Sequence, residues 1–153
     1  MERKRGFEIA KGFENNNIHL PVRKTKYSAG YDFEAAEDTT IPAFVPGTKP
    51  TLVKTGVKSY FGEDEVLILA NRSSNPMKKG LVLANSIGVI DSDYYENPDN
   101  DGHIMFAFYN FGDKDITIAK GDAIGQGIFQ KFLTTDNDSS TGERVGGFGS
   151  TSK

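Results

Sequence analysis

The segment GVIDSDY at residues 88–94 joins an apolar run to two aspartates and a tyrosine. Asp91 ends the apolar run, so its carboxylate could be held rigidly at the end of a strand and face a cleft. A carboxylate in that position can accept a proton from an attacking water. Phosphoryl chemistry needs a positioned water and neutralised charge more than it needs a covalent nucleophile. The spacing alone fits a turn at least as well, because Asp-Ser-Asp also starts turns.

Three further internal segments carry polar residues outside the apolar pattern. In NRSS at residues 71–74, hydroxyls, a guanidinium and helix-start N–H groups suit a phosphate, with an ordinary N-cap as the alternative. In GDAIGQG at residues 121–127, Gln126 could orient water, with a β-bulge as the alternative. Asp32 lies just inside a strand, where aspartate is disfavoured. It could bind metal-held water or make a turn hydrogen bond.

The C-terminal segment GERVGGFGSTSK at residues 142–153 is rich in glycine and serine. Its glycines and hydroxyls could wrap phosphates, although the Gly-Lys-Ser/Thr ending of a Walker A loop is absent. Phe148 could stack on a base. A disordered tail without a ligand is the alternative.

Residues 91–102 (DSDYYENPDNDG) superficially suggest a calcium loop. An EF-hand needs glycine at its sixth position and a bidentate glutamate at its twelfth, where this chain has Glu96 and Gly102. That interpretation is rejected, and the stretch after Tyr95 is predicted to be a solvated loop. His19 and His103 have no partner pattern and are predicted to be structural or surface residues.

Length and composition bound the remaining possibilities. The chain has 153 residues, a formal net charge of −3 and no cysteine, which indicates one domain without a thiolate zinc site or disulfide. The charge balance does not favour nucleic acid as a partner. No signal-peptide pattern and no apolar stretch of about 20 residues is present, so no membrane association is expected and the predicted location is cytoplasmic.

The elements that must position these residues are short apolar runs bounded by turn residues, which is typical of β-strands. Strands are predicted at residues 5–13, 31–36, 39–44, 51–60, 65–70, 80–84, 86–90, 104–111, 115–119 and 123–133. The runs at 80–84 and 86–90 are predicted to be the arms of a hairpin around Asn85. The only helix candidate covers residues 74–79. The pattern predicts an all-β domain over residues 1–133 and a flexible tail over residues 134–153 that closes over an active site.

In their order, AGYDFEAAED (29–38), NRSS (71–74), NSIGVIDSDY (85–94), GDAIGQG (121–127) and GGFGSTS (146–152) resemble the five motifs of the trimeric dUTPase family. The resemblance implies a distorted jelly roll (the dUTPase-like β-clip) with at most one short helix. It implies a homotrimer with shared active sites, which hydrolyses dUTP to dUMP and pyrophosphate with Mg²⁺.

The resemblance also implies roles for individual residues. Asp91 would activate the water that attacks the α-phosphorus, and Gln126 would bind phosphate or its water network. Tyr94 would pack against the deoxyribose, and Asp32 would contact a water on the magnesium. The remaining residues would contact the substrate: Asn85, Gly88, Val89, Ile90 and Phe148 at the uracil, and Arg72, Ser73, Ser74, Arg144, Gly149, Ser150 and Thr151 at the phosphates.

The chain departs from the family pattern in three places. The spacing from Arg144 to Phe148 is one residue shorter than usual, which affects the reach of Arg144. Ala123 and Gly125 stand where Arg and Ala are common in the family, so the salt bridge that this arginine usually makes is expected to be absent. The connection over residues 96–103 is longer, and is either a loop or a contact for a protein partner. A dCTP deaminase and a regulatory binding protein are the competing hypotheses, and the tyrosine after IDSD together with the tail favours the dUTPase.

Overall fold

The structure, a computed structural model, describes residues 2–147 and consists mainly of short β-strands. A single helical turn covers Asn75–Lys79, and a 3-10 turn covers Ser92–Tyr94. The strands are β1 (Gly6–Ile9), β2 (Tyr31–Glu34), β3 (Thr39–Ile41), β4 (Thr51–Lys54), β5 (Val57–Tyr60), β6 (Glu65–Asn71), β7 (Leu81–Leu83), β8 (Gly88–Asp91), β9 (Met105–Asn110), β10 (Ile116–Ile118) and β11 (Ala123–Lys131).

The strands form antiparallel sheets around one apolar core. A four-stranded sheet has the order β2-β11-β6-β8, and a three-stranded sheet has the order β4-β9-β7. The pairs β1-β5 and β3-β10 complete the architecture. Phe33, Leu67, Phe106 and Phe108 are fully buried in the core cluster. The all-β prediction, with one short helix, is confirmed.

The predicted hairpin around Asn85 is wrong in its pairing. The chain does turn tightly there, since the backbone N–H of Ser86 donates to the carbonyl of Leu83 at 3.2 Å. However, β7 pairs with β9 while β8 pairs with β6, so the two arms enter different sheets. Each strand buries alternate residues in the core between the sheets, and the two strands do so from different sheets. Asn85 therefore lies in the turn that connects the two sheets.

The predicted strand at residues 51–60 is two strands, β4 and β5, separated by Thr55 and Gly56. Gly56 has a φ of +71°, a conformation that glycine adopts at little cost. The hydroxyl of Thr55 donates to the carbonyl of Ile104 at 2.6 Å, which pins the break to the neighbouring segment. The break lets the chain leave the three-stranded sheet and pair with β1.

Among residues 2–147 no helix combines the length and apolarity that crossing a membrane requires.

His103 is a structural residue, as the sequence predicted. Its ring is 8% exposed and packs on Phe13, and its Nε2 accepts a hydrogen bond from the backbone N–H of Gly56 at 3.0 Å. Burial, assisted by the charge of Lys54, lowers the pKa of His103 to about 4. The neutral imidazole is therefore the form that the fold requires.

Lowering the pH from about 7.5 to about 5 is expected to reduce the free energy of unfolding by about 2 kcal/mol through His103. Between the ordinary pKa near 6.5 and the folded value of about 4, the unfolded chain binds more protons, so stability falls as the pH falls. Urea unfolding at fixed protein concentration measures this loss. The His103→Gln variant keeps an acceptor for Gly56 and should lose about 2 kcal/mol less than the wild type. Equal losses would contradict the assignment.

Candidate active site

A cavity of about 210 Å³ lies beside β8, where the four-stranded sheet faces β9. Six of the residues that the sequence predicted to act on base, sugar or water line it together: Asn85, Gly88, Val89, Ile90, Asp91 and Tyr94. Two residues of the C-terminal segment, Arg144 and Gly147, line the same cavity. The structure therefore brings one contiguous motif and part of the tail to one place.

The strand β8 is suited to present its backbone to a ligand. It is the outer strand of its sheet in the described part of the chain, so one row of its backbone groups is not used for sheet pairing. Gly88 permits the close approach to β6, because a Cβ there would lie 2.9 Å from Leu69. Fixed donors and acceptors at the cavity wall can form hydrogen bonds with the edge of a flat, polar ligand.

Tyr94 forms a rigid wall of the cavity. Its side chain is 4% exposed, and its hydroxyl donates to the carbonyl of His103 at 2.6 Å. The same hydroxyl accepts a hydrogen bond from Nδ2 of Asn100 at 2.8 Å. Burial raises the pKa of Tyr94, although Asn100 and the charge of Arg144 oppose the shift. The phenol therefore stays neutral and serves as a surface for packing.

Arg144 binds the carboxylates of the cavity. Its Nη2 lies 2.7 Å from Oδ2 of Asp91 and its Nε lies 2.7 Å from Oδ1 of Asp93, while its side chain is only 12% exposed. Burial alone would lower the pKa of Arg144, but its bonds with Asp93 and Asp91 outweigh burial and raise it. The structure places the guanidinium on the two carboxylates, and the phosphate contact that the sequence predicted for Arg144 stays a prediction.

Asp93 was given no site role by the sequence, and the structure makes it one of the two partners of Arg144. The signal available in the sequence was the pair of aspartates two residues apart, with one arginine in the glycine-rich C-terminal segment. That signal did not specify where the tail runs. The structure answers that question for residues 144–147, which lie against the cavity of their own chain.

A second group of predicted residues lies at the far end of the four-stranded sheet. Nε2 of Gln126 donates to the carbonyl of Asn71 at 3.1 Å, and Nη1 of Arg72 donates to the carbonyl of Ala123 at 3.3 Å. Asp32 stands directly opposite Gln126 in the β2-β11 register, so the two side chains share one face. Ser73 and Ser74 follow Arg72 in the same turn, and Ser74 makes no side-chain cap bond to the short helix.

The glycines around Gln126 allow both a bulge and close packing. The register of β11 shifts between Ala123 and Gly125, as the β-bulge alternative proposed. A Cβ on Gly125 would lie 2.3 Å from the ring of Phe106, so that position is restricted to glycine. The bulge and the close approach together set the position of the Gln126 side chain.

The two groups are far apart within one chain. Asp91 pairs with Val66 on β6, whereas Asp32 stands opposite Gln126, which pairs with Ala70. Their strands are the outer strands of the sheet, so the carboxylates are separated by about 14 Å across the sheet and about 13 Å along it. A single phosphate cannot contact both residues of one chain, because catalytic contacts require separations of about 3 Å.

The described residues contain no group of three or more His, Cys, Asp or Glu side chains arranged for a metal ion. Mg²⁺ does not need such a cage, because it is commonly held by one or two carboxylates together with substrate phosphates. Asp32, beside Gln126 and close to Arg72, offers one carboxylate of this kind. The predicted contacts of Phe148, Gly149, Ser150 and Thr151 lie outside the described residues.

Comparison with known proteins gives one consistent result. The family model for dUTPase matches residues 16–152. The deoxyuridine 5'-triphosphate nucleotidohydrolase of Lactococcus lactis is 51% identical over 149 residues, covering 96% of this chain and 97% of that protein. The crystal structure of the dUTPase from Streptococcus mutans has a TM-score of 0.80 and 48% identity, covering 86% of this chain and 99% of that one.

A more distant solved structure is similar in fold alone. It is a mutant dUTPase from phage phi11 of S. aureus, with a TM-score of 0.69 and 19% identity, covering 90% of this chain and 97% of that one. For that protein the coordination of a structural Mg(II) ion is described.

Proposed function

The chain belongs to the dUTPase family, and from this we infer that it is a dUTP diphosphatase, which hydrolyses dUTP to dUMP and pyrophosphate. The observation that carries the proposal is the cavity beside β8. It gathers a polar strand edge, a buried tyrosine and an exposed aspartate, which suit a base, a sugar and a water respectively.

The edge of β8 and Asn85 bind uracil in this proposal. Backbone groups of Gly88, Val89 and Ile90 supply donors and acceptors whose positions are fixed by the pairing with β6. Cytosine carries an amino group where uracil carries a carbonyl, so its binding would leave buried polar groups unpaired. Tyr94 packs against the deoxyribose and leaves no room for a 2'-hydroxyl.

Asp91 accepts a proton from the water that attacks the α-phosphorus. The new P–O bond forms as the bond to the bridging oxygen breaks, and pyrophosphate leaves. The carboxylate is 54% exposed, which leaves it open to water, but it is paired with Arg144. Because the guanidinium occupies an oxygen of the carboxylate that must face the water, Arg144 moves from Asp91 to the substrate's phosphates during turnover.

The phosphates lie on Arg72, Ser73, Ser74 and Gln126, and this placement requires a second chain. In one chain these residues are too far from Asp91 to contact the same nucleotide. A cyclic homotrimer would bring the two groups together, because the β8 cavity of each protomer can face the phosphate-binding residues of its neighbour. The trimer would then contain three equivalent sites. The separation of the two groups supports shared active sites.

Magnesium fits this arrangement as a companion of the triphosphate. Asp32 is the residue that would hold one of its waters, from a position beside Gln126. When bound, the ion neutralises phosphate charge and orients the chain of phosphates for in-line attack. This chain's own share is the orientation of that water by Asp32 and the positioning of phosphate oxygens by Arg72 and Gln126.

The proposed function predicts a specific substrate profile. Pyrophosphate release should be rapid with dUTP and at least about 100-fold slower with UTP, dCTP and dTTP, because each mismatch leaves a polar group unpaired or meets a steric wall. Chelation of divalent metal with EDTA should strongly reduce the rate, and added Mg²⁺ should restore it. Release of ammonia from dCTP would contradict the proposal in favour of a deaminase.

A further inference from the structure

The loop at residues 95–102, which the sequence predicted to be solvated, is firmly tethered to the domain. The hydroxyl of Tyr95 donates to Glu8 on β1 at 2.5 Å. Nζ of Lys58 on β5 donates to Glu96 at 2.8 Å and to Asp101 at 3.0 Å. Glu96, Pro98 and Asp99 are exposed, as predicted for the loop after Tyr95, but the loop is also anchored to the domain. A loop held from two strands can in turn hold the residue that precedes it, which is Tyr94.

Inside this loop, the orientation of the Asn100 amide is fixed by two donors. Its Oδ1 accepts hydrogen bonds from Nδ2 of Asn97 at 2.8 Å and from the backbone N–H of Gly102 at 3.1 Å. Asn97 is 5% exposed and also donates to the backbone carbonyl of Tyr94 at 2.8 Å. Because both neighbours are donors, the oxygen of Asn100 must face them. Its NH₂ group is thereby directed at the hydroxyl of Tyr94.

The hydroxyl of Tyr94 is consequently held from two sides. It donates to the carbonyl of His103 and accepts from Asn100, so its single proton is already committed. These two bonds prevent the ring from tilting away from the cavity that it lines. The ring lines the cavity beside the guanidinium of Arg144, whose Cζ lies 5.9 Å from the ring centroid, while its polar edge is fixed in the protein interior.

We propose that Asn100 is a positioning residue that enforces selectivity for a deoxyribonucleotide by locking the ring of Tyr94. The inference rests on the proposed function, in which that ring packs against the deoxyribose. Steric exclusion of one hydroxyl depends on a wall that does not move, because a pocket that yields rejects an added hydroxyl only weakly. A freed Tyr94 ring would turn aside and admit a 2'-hydroxyl.

The test uses two variants that break the same hydrogen bond from opposite sides. Asn100→Asp keeps the acceptor oxygen for Asn97 and Gly102 but replaces the NH₂ donor with a second acceptor, which can only compete with His103 for the single proton of Tyr94. Tyr94→Phe keeps the ring and removes the hydroxyl together with both of its hydrogen bonds. Each variant should lower the ratio of kcat/KM for dUTP to kcat/KM for UTP by about five- to tenfold, the effect of one hydrogen bond. For Asn100→Asp the change should appear as a lower KM for UTP, with kcat for dUTP within about twofold of wild type.

The double variant should lose no more selectivity than Tyr94→Phe alone, because that variant already lacks the hydroxyl that Asn100 contacts. Glu96→Gln is the matched control, since it cuts a tether of the same loop without touching the Tyr94 hydroxyl, and its selectivity should equal wild type. Additive losses, or an equal loss in Glu96→Gln, would overturn the role of Asn100. So would unchanged selectivity in Asn100→Asp. A wild type that hydrolyses UTP as well as dUTP would instead refute the placement of Tyr94 against the sugar.

Discussion

Asp91→Asn is expected to lower kcat for dUTP by about 10²- to 10⁴-fold, the usual contribution of a general base. The substitution keeps the size of the side chain and its place at the end of β8, but the amide cannot take a proton from water. KM should change by no more than a few-fold, because the base and sugar contacts are made by other residues. Single-turnover pyrophosphate release, together with the binding of a non-hydrolysable dUTP analogue, separates the two effects.

Asp93→Asn is the matched control, because Asp93 has the same chemistry and shares the same arginine. Arg144 lies 2.7 Å from each of the two carboxylates, so either substitution removes one anchor of the tail. Loss of an anchor alone should cost no more than about tenfold in kcat, as expected for an ion pair whose carboxylate is more than half exposed. If the two variants are equally impaired, the role of Asp91 is to hold Arg144, and the assignment as general base is wrong.

In the proposed function, the contact between Arg144 and Asp91 implies two arrangements of the site. In the structure the guanidinium pairs with both aspartates and lines one side of the cavity. A triphosphate brings more negative charge than the two carboxylates and is expected to draw the guanidinium to itself. Asp91 is then unpaired only when substrate is present. Asp93→Asn weakens one of the two bonds that hold Arg144 near Asp91, so Arg144 should leave Asp91 more readily in this variant.

The sequence predicted the components of the site better than it predicted their assembly. Asn85, Asp91 and Tyr94 lie in one continuous segment, so their proximity follows from local chain geometry, and the structure places all three around one cavity. The all-β fold was also predictable, because alternating burial and turn residues are local signals. The partners of β7 and β8 were not predictable, since the paired residues lie 19 to 29 positions apart in sequence.

Contacts that join distant segments account for most of what the sequence did not predict. The bond from Arg144 to Asp93 spans 51 positions, and the ties from Lys58 to Glu96 and Asp101 span 38 and 43. No periodicity encodes such pairs. In the loop at residues 95–102, a polar composition suggested solvent exposure, whereas Asn97 is buried because its amide satisfies neighbouring backbone groups.

Chains that carry Asp91→Asn and chains that carry Arg72→Ala are each expected to be nearly inactive alone and to form active enzyme when co-expressed. If each site joins Asp91 of one protomer to Arg72 of the next, a mixed trimer contains one site in which both residues are intact. Trimers purified through two different affinity tags should therefore show about one third of wild-type activity per trimer, at least tenfold above either parent.

The control for this experiment pairs Asp91→Asn chains with chains that carry both substitutions, so that no site retains Asp91 and no activity should return. Native mass spectrometry establishes that the tagged species contain both chains. Mixed trimers that remain inactive would mean that both residues act within one protomer. That outcome would require the two ends of the four-stranded sheet to contact one nucleotide, across a distance on the order of 20 Å. The β-sheet geometry favours recovery, because it places Asp91 and Arg72 of one chain too far apart to contact the same phosphate.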